Sequence, residues 1–290
     1  MSASREKLYF NKLAEVYDEK TASGLNKKLA RDDNIFLNHS GIVLSSRDIS
    51  RVKGSGLGED GELDLMHRLE KNLVSFGMKY LGGASGKKRV LDAGCGAGGS
   101  AILINRKLKY RIDGYTISKK QVLFANRAAK EYGVSDKVKF HCGNILDLAH
   151  VRNNIFDAIW ACESTEHIPA MDLGPMFSEF SRVTKPSARM VVIAWTSRSG
   201  LHKDGERIKY AIDKHYITDI HSKNDYTRAA MTAGWQLKRA IDLTKKSLPY
   251  WEFRHKSRNA TSSEKYFIKG YKNNSLSYTL FVFDKIPAEH

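Results

Sequence analysis

The sequence predicts an α/β protein, a Rossmann-like doubly wound sheet carrying an N-terminal helical lid. A short apolar strand at Val90-Leu91 runs into Asp92-Ala93-Gly94-Cys95-Gly96-Ala97-Gly98-Gly99, an acidic residue followed by a glycine turn. Beyond it, strand-like runs alternate with helix-period segments at the spacing of a parallel sheet with right-handed crossovers. Ahead of it, some eighty residues read as helices and a glycine-rich loop, separate from that alternation.

Residues 5 to 19 place Leu8, Leu13, Val16 and Tyr17 near helical spacing, which predicts an amphipathic helix that needs a larger body to pack on. After Gly24 comes the run Ile35 to Ile42, then a loop holding Gly54, Gly56, Gly58 and Gly61 that suggests a mobile lid. From Glu62, Leu65, Leu69, Leu73, Phe76 and Tyr80 form one helical face, ended by Gly82-Gly83. Residues 1–82 are therefore expected to be a helical cap, and residues 83–290 the catalytic domain.

Past the glycine turn, Ser100 to Leu108 reads as a crossover helix and Arg111 to Thr116 as the second strand. Ser118 opens the next helix, with Gln121 placed for a capping box. Further strands are expected at Val138 to Cys142, Ile155 to Cys162, Met190 to Trp195, Trp235 to Leu243 and Tyr278 to Ile286, with a helix over Ser222 to Ala233. Two stretches, 198–221 and 245–275, fall outside this plan. Both are rich in basic and aromatic residues and are expected to wall a substrate pocket.

The glycine turn defines a cofactor site, because residues without β-carbons let a bound molecule touch the backbone. Gly94-x-Gly96-x-x-Gly99, with Asp113 downstream, also satisfies a dinucleotide fingerprint. Asp92 argues against that reading: its carboxylate would repel a pyrophosphate but can pair with the ammonium of S-adenosylmethionine (SAM). Asp92, Gly94 and Gly96 are expected to hold SAM at the turn, Thr116, Ser118 and Gln121 its ribose hydroxyls, and Asn144 and Ile145 its adenine.

Composition excludes several classes. The 290 residues are 41% hydrophobic, and no apolar run reaches the ~18 residues of a membrane span, so neither membrane nor secretory signal is expected and the protein should be cytoplasmic. Cys95, Cys142 and Cys162 have no metal-ligand spacing, and no resident metal site is expected. The net charge is +16, half of it in residues 198–290, which suits a nucleic acid or a phosphorylated small molecule.

Several runs decide between those two. Met66-His67-Arg68-Leu69-Glu70, Asp113 to Ser118, Phe124 to Arg127, Glu163-Ser164-Thr165, His215-Tyr216 with Asp219-Ile220-His221, and Pro249 to Arg254 resemble the prenyl diphosphate C-methyltransferases, typified by geranyl diphosphate 2-C-methyltransferase, among the class I SAM-dependent methyltransferases. That resemblance implies an antiparallel closing strand pair and methylation of an alkene carbon of geranyl or farnesyl diphosphate through a carbocation. It further implies Mg2+ where the substrate carries a diphosphate. Glu163, at the end of the fourth strand, is the expected base, with Glu166 and His167 as rivals. His39, Trp195, His215, Tyr216, His221, Tyr250, Trp251 and Arg254 are expected to face the substrate, with aromatic faces, Trp160 included, meeting the cation. The chain departs from the family where a diphosphate-contacting tyrosine is expected and His167 stands instead.

Three other readings stay in view. One is a terpenoid C-methyltransferase whose cation cyclises, on farnesyl diphosphate or a prenylated indole alkaloid. Another, a nucleic-acid methyltransferase, is weakened because the fourth strand lacks an Asn/Asp-Pro-Pro-aromatic ending and no cysteine sits in a Pro-Cys pair. A catalytically dead SAM-binding module is disfavoured by Asp92, the glycines and Glu163. Homo-oligomerisation is left open, and no nucleic-acid or membrane partner is expected.

Overall fold

Strand β1 (Arg89–Ala93) is apolar on both faces, with Val90, Leu91 and Ala93 fully buried, and a strand buried on both sides belongs at the centre of a covered sheet. Around it lie β2 (Arg111–Thr116), β3 (Val138–Cys142), β4 (Phe156–Cys162), β5 (Thr184–Ser197), β6 (Trp235–Asp242) and β7 (Leu276–Lys285). The seven-stranded order is β3-β2-β1-β4-β5-β7-β6. The first five strands run parallel, and β7 inserts antiparallel to both β5 and β6, which gives the expected antiparallel closing pair. The chain reverses direction beside β1, so the C-terminal ends of β1, β2 and β4 open a crevice there.

The computed structural model describes residues 3–22, 28–30, 32–54, 56–83, 87–198 and 200–287; Gly24 lies outside them. The helices are α1 (Ala3–Ala22), α2 (Ser46–Lys53), α3 (Glu59–Gly77), α4 (Gly99–Leu108), α5 (Lys119–Glu131), α6 (Leu173–Val183), α7 (Lys203–Tyr216), α8 (Lys223–Thr232), α9 (Thr244–Lys256) and α10 (Glu264–Lys272). Acidic residues in the first turn of α3 suit the positive end of its dipole, and Leu65, Leu69 and Leu73 are buried. They join one apolar cluster that extends to Val90, Trp160 and Val282, so α3 shares the core of the sheet.

Three local expectations change. In α1, Phe10 and Leu13 face inward while Leu8 is 70% exposed, so the buried stripe is rotated from the expected one. Helix α2 replaces part of the expected loop. Its sequence is almost wholly polar, and its start is set by a capping box between Ser45 and Asp48 rather than by an apolar stripe. Strand β5 begins at Thr184, because Thr184 pairs with Phe156 ahead of a register shift that Ser187 accommodates at φ 61°. The stretches 198–221 and 245–275 fold as α7, α9 and α10, packed on one another.

Between α1 and α2, residues 35–43 cross the crevice as an extended strap. Ile35, Leu37, Ile42 and Val43 are buried, and the backbone is tied by Ile42 N donating to Leu69 O (3.0 Å) and Val43 N to Lys246 O (2.9 Å).

Candidate active site

The turn after β1 takes a path that only glycine follows cheaply. Gly94, Gly96 and Gly98 have φ of 83°, 52° and 85°. A β-carbon on Gly94 would lie 2.3 Å from Ser164 Cβ, so any larger residue would push apart the ends of β1 and β4. Gly94 N and Cys95 N both donate to Tyr115 O, at 3.0 and 2.9 Å, and Ser164 Oγ donates to Ala93 O at 2.6 Å. These bonds hold open a cavity whose walls include Asp92, Gly94, Gly96, Thr116, Gln121, Asn144 and Ile145.

Asp92 is 2% exposed, its Oδ2 has no hydrogen-bond partner among the described residues, and burial pushes its pKa up to about 8. A buried carboxyl in that state gains most from a cation placed against it. The ammonium of SAM supplies one, and the turn leaves room for its body, so the residues present fit that cofactor. Thr116 Oγ1 donates to Gln121 Oε1 at 2.6 Å. Asn144 Oδ1 accepts from Leu146 N at 3.0 Å.

Ser118 is a correction. It is fully buried off the cavity wall, where its hydroxyl accepts from Gln121 N (3.1 Å) and donates to Asp18 of α1. Its one donor is given to Asp18, and it does not reach the cavity where a ribose would lie.

A second cavity meets the first at Tyr17, Leu37, Asn38, His39, Glu163 and His167. Trp195, Tyr216 and Trp251 supply aromatic wall, and Arg254, His215 and Glu70 supply charge or polarity. Trp251 stacks on Phe267 at 4.0 Å, and Trp195 sets its edge against the same ring at 4.7 Å. Trp160 lines the first cavity instead.

Arg254 is the fixed cation of this cavity. Its Nε donates to the fully buried Glu264 (3.1 Å) and its Nη1 to the Tyr250 hydroxyl (3.3 Å), which itself donates to Glu70 at 2.9 Å. Glu70 Oε2 lies 3.6 Å from His67 Nδ1, and His67 Nε2 lies 3.0 Å from Asp33. Burial disfavours charge on His67, but its bonds to Asp33 and Glu70 outweigh that and raise its pKa to about 9.

Two expected substrate contacts are reassigned. Tyr250 is fully buried behind the wall as the link between Glu70 and Arg254. His221 is 4% exposed, its Nε2 bonded to Ile168 O at 2.8 Å and its ring packed edge-on to Tyr226, off both cavities.

Glu163 sits where the cavities join, its backbone in the left-handed region at φ 47°. Its Oε1 accepts from Ser40 N at 2.8 Å and from the Tyr278 hydroxyl at 2.6 Å. Burial raises its pKa, opposed by His39 nearby and by these two bonds. The rivals are differently placed. Glu166 is 1% exposed and lines neither cavity; Oε1 accepts from Trp195 N (2.8 Å), and burial, reinforced by Glu163, holds the acid well above the usual carboxylate range. His167 touches both cavities, with Nδ1 donating to Ile217 O (2.8 Å) and Nε2 accepting from the Tyr17 hydroxyl (2.8 Å). Tyr17, Ser40, Glu70, Glu264 and Tyr278 were not legible as site residues, since each reaches the site by a contact far away in sequence.

A doubly wound sheet of this order, with an unpaired buried aspartate beside a glycine turn, defines a class I SAM-dependent methyltransferase, and residues 90–187 match the methyltransferase domain family. The chain is 35% identical to geranyl diphosphate 2-C-methyltransferase of Saccharopolyspora erythraea, over 96% of this chain and 95% of that one. It is 33% identical to the enzyme of that name from Streptomyces coelicolor, over 93% and 91%. Among solved structures, a geranyl diphosphate methyltransferase in complex with GPP and sinefungin superposes with a TM-score of 0.88 at 28% identity, over 96% of this chain and 99% of that one. The S. coelicolor enzyme in complex with Mg2+, geranyl-S-thiolodiphosphate and S-adenosyl-L-homocysteine gives 0.87 at 31% identity, over 96% and 98%. The chain belongs to the geranyl diphosphate 2-C-methyltransferase family and is a SAM-dependent C-methyltransferase.

Proposed function

We propose that the protein methylates an alkene carbon of a prenyl diphosphate, geranyl diphosphate first, with residues 1–82 capping a catalytic domain formed by 83–290. The observation that carries this is the junction at Glu163: a cavity fitted to SAM opens there into an aromatic cavity that holds a half-buried arginine, Arg254.

Bound SAM supplies an electrophilic methyl group. Asp92 anchors its ammonium, and the Gly94 and Gly96 backbone, Thr116, Gln121, Asn144 and Ile145 line its path. Holding the alkene against that methyl is most of what the reaction requires, since orientation replaces a bimolecular encounter. Trp195, Tyr216 and Trp251 offer ring faces to the positive charge that follows, each contributing roughly 0.5–2 kcal/mol when desolvated. Glu163 takes the proton that restores the double bond.

Arg254, His215 and His39 face the diphosphate end. Among the described residues there is no cluster of three or more His, Cys, Asp or Glu side chains that could hold a metal. Mg2+ would therefore ride mainly on the diphosphate oxygens, with water completing its shell. No helix among the described residues is long and apolar enough to cross a membrane.

The test is incubation with methyl-labelled SAM against geranyl, farnesyl and isopentenyl diphosphates, with and without Mg2+. Mg2+-dependent labelling of geranyl diphosphate supports the reading. Labelling of farnesyl diphosphate alone, with a ring in the product, would replace it by the cyclising enzyme.

A further inference from the structure

Resting on the reading of Glu163 as the base, we infer that Tyr278 is the positioning residue that occupies one oxygen of that carboxylate and turns the other toward the substrate. The geometry is a clamp. The Tyr278 hydroxyl and Ser40 N–H both donate to Oε1, at 2.6 and 2.8 Å, and among the described residues Oε2 has no hydrogen-bond partner at the junction of the cavities.

Both donors are held from behind. Tyr278 is fully buried on β7, with its N–H given to Thr244 Oγ1 (2.9 Å) and its carbonyl accepting from Leu243 N (2.7 Å). On the strap, Ser40 Oγ accepts from Trp195 Nε1 at 3.2 Å, and its carbonyl bonds His39 Nδ1 at 2.9 Å. The strained φ of Glu163, with its own N–H given to Ile193 O at 2.8 Å, aims the side chain between them. Such a carboxylate cannot rotate away when it takes a proton, and Oε2 is where the proton arrives.

The clamp also sets ionisation. His39 nearby, the Tyr278 hydroxyl, and the hydroxyl and N–H of Ser40 favour the charged form, against burial that disfavours it. Several other titratable groups face Glu163: His39 on the strap, Tyr17 on α1, Cys162 and Glu166 at the end of β4, Tyr216 on α7 and Tyr271 on α10. Burial raises Cys162, Glu166 and the three phenols, which favours the neutral form of each.

The experiment is the pH dependence of turnover on geranyl diphosphate with SAM and Mg2+, for wild type, Tyr278→Phe, His39→Gln and the double variant. Tyr278→Phe removes a single oxygen. It should move the acidic limb up by about one pH unit, a roughly tenfold loss of turnover on that limb. Above the limb, turnover should stay within about threefold of wild type and SAM affinity within twofold. The same displacement should persist in the His39→Gln background. A limb that stays in place, or an equal loss at every pH, overturns the inference. Should Tyr278→Phe not fold, 3-fluorotyrosine at position 278, a stronger donor, should move the limb down, and an unmoved limb is again fatal. Glu163→Gln in the same assay separates the two readings. If it keeps full turnover, the base is wrong and this inference falls with it; if it is inactive while Tyr278→Phe matches wild type throughout, only the clamp is wrong.

Discussion

The Tyr17 hydroxyl lies 2.8 Å from His167 Nε2, joining the first helix to the turn after β4 across the mouth shared by both cavities. The two rings meet edge to face at 5.4 Å, and Tyr9, two turns earlier on α1, donates to His167 O at 3.0 Å. His167 thus ties α1 to the turn after β4. Tyr17→Phe should raise KM for SAM and for the prenyl substrate several-fold and lower kcat much less, as expected when a closing element is loosened. Steady-state kinetics with each substrate varied in turn check this; a selective collapse of kcat would return His167 to the chemistry.

Asp92 makes SAM binding a protonation event. In the free protein its pKa is pushed up to about 8 by burial, so at pH 7 it is mostly protonated; an ammonium partner draws it down. Binding at pH 7 should release up to about one proton, and affinity should rise from pH 6 to 8. The same shift sets a stability trend for the free protein. A carboxyl raised in the folded state contributes stability below its unfolded pKa and loses it as pH climbs toward 8, so Asp92→Asn should flatten that slope and abolish SAM binding. Calorimetry in buffers of different ionisation enthalpy measures the proton.

Glu163→Gln should lower turnover by about 10²- to 10⁴-fold while leaving SAM affinity near wild type. Glu166→Gln should cost far less, because burial already disfavours charge on Glu166 and the amide oxygen can still accept from Trp195 N. Single-turnover rates for the pair decide it: loss confined to Glu166→Gln would reverse the assignment.

Arg254→Lys should raise KM for geranyl diphosphate at least about tenfold, because an ammonium cannot keep both the Glu264 and Tyr250 bonds and still present a fork to phosphate. Stability should fall by less than the roughly 3–5 kcal/mol of a broken buried pair, since Thr261 also donates to Glu264. Thermal melts alongside kinetics separate the two effects, and an unchanged KM would remove Arg254 from the diphosphate site.

Chain-local physics made part of this legible without coordinates. The strand into Asp92 and the glycines, the alternation of strands and helices, and the carboxylate at the end of β4 are written in neighbouring residues, because periodicity, turns and strand ends are properties of short segments. Resemblance carried the reaction type. What the tertiary structure decided is which polar groups are already engaged. Ser118, Tyr250, His221 and His167 look like ligands in sequence, yet each is committed to a cap, a link or a latch. Tyr278 lies 115 residues from Glu163, and Ser40 lies 123. A side chain's role depends on which donors and acceptors reach it across the fold, and no spacing along the chain records that.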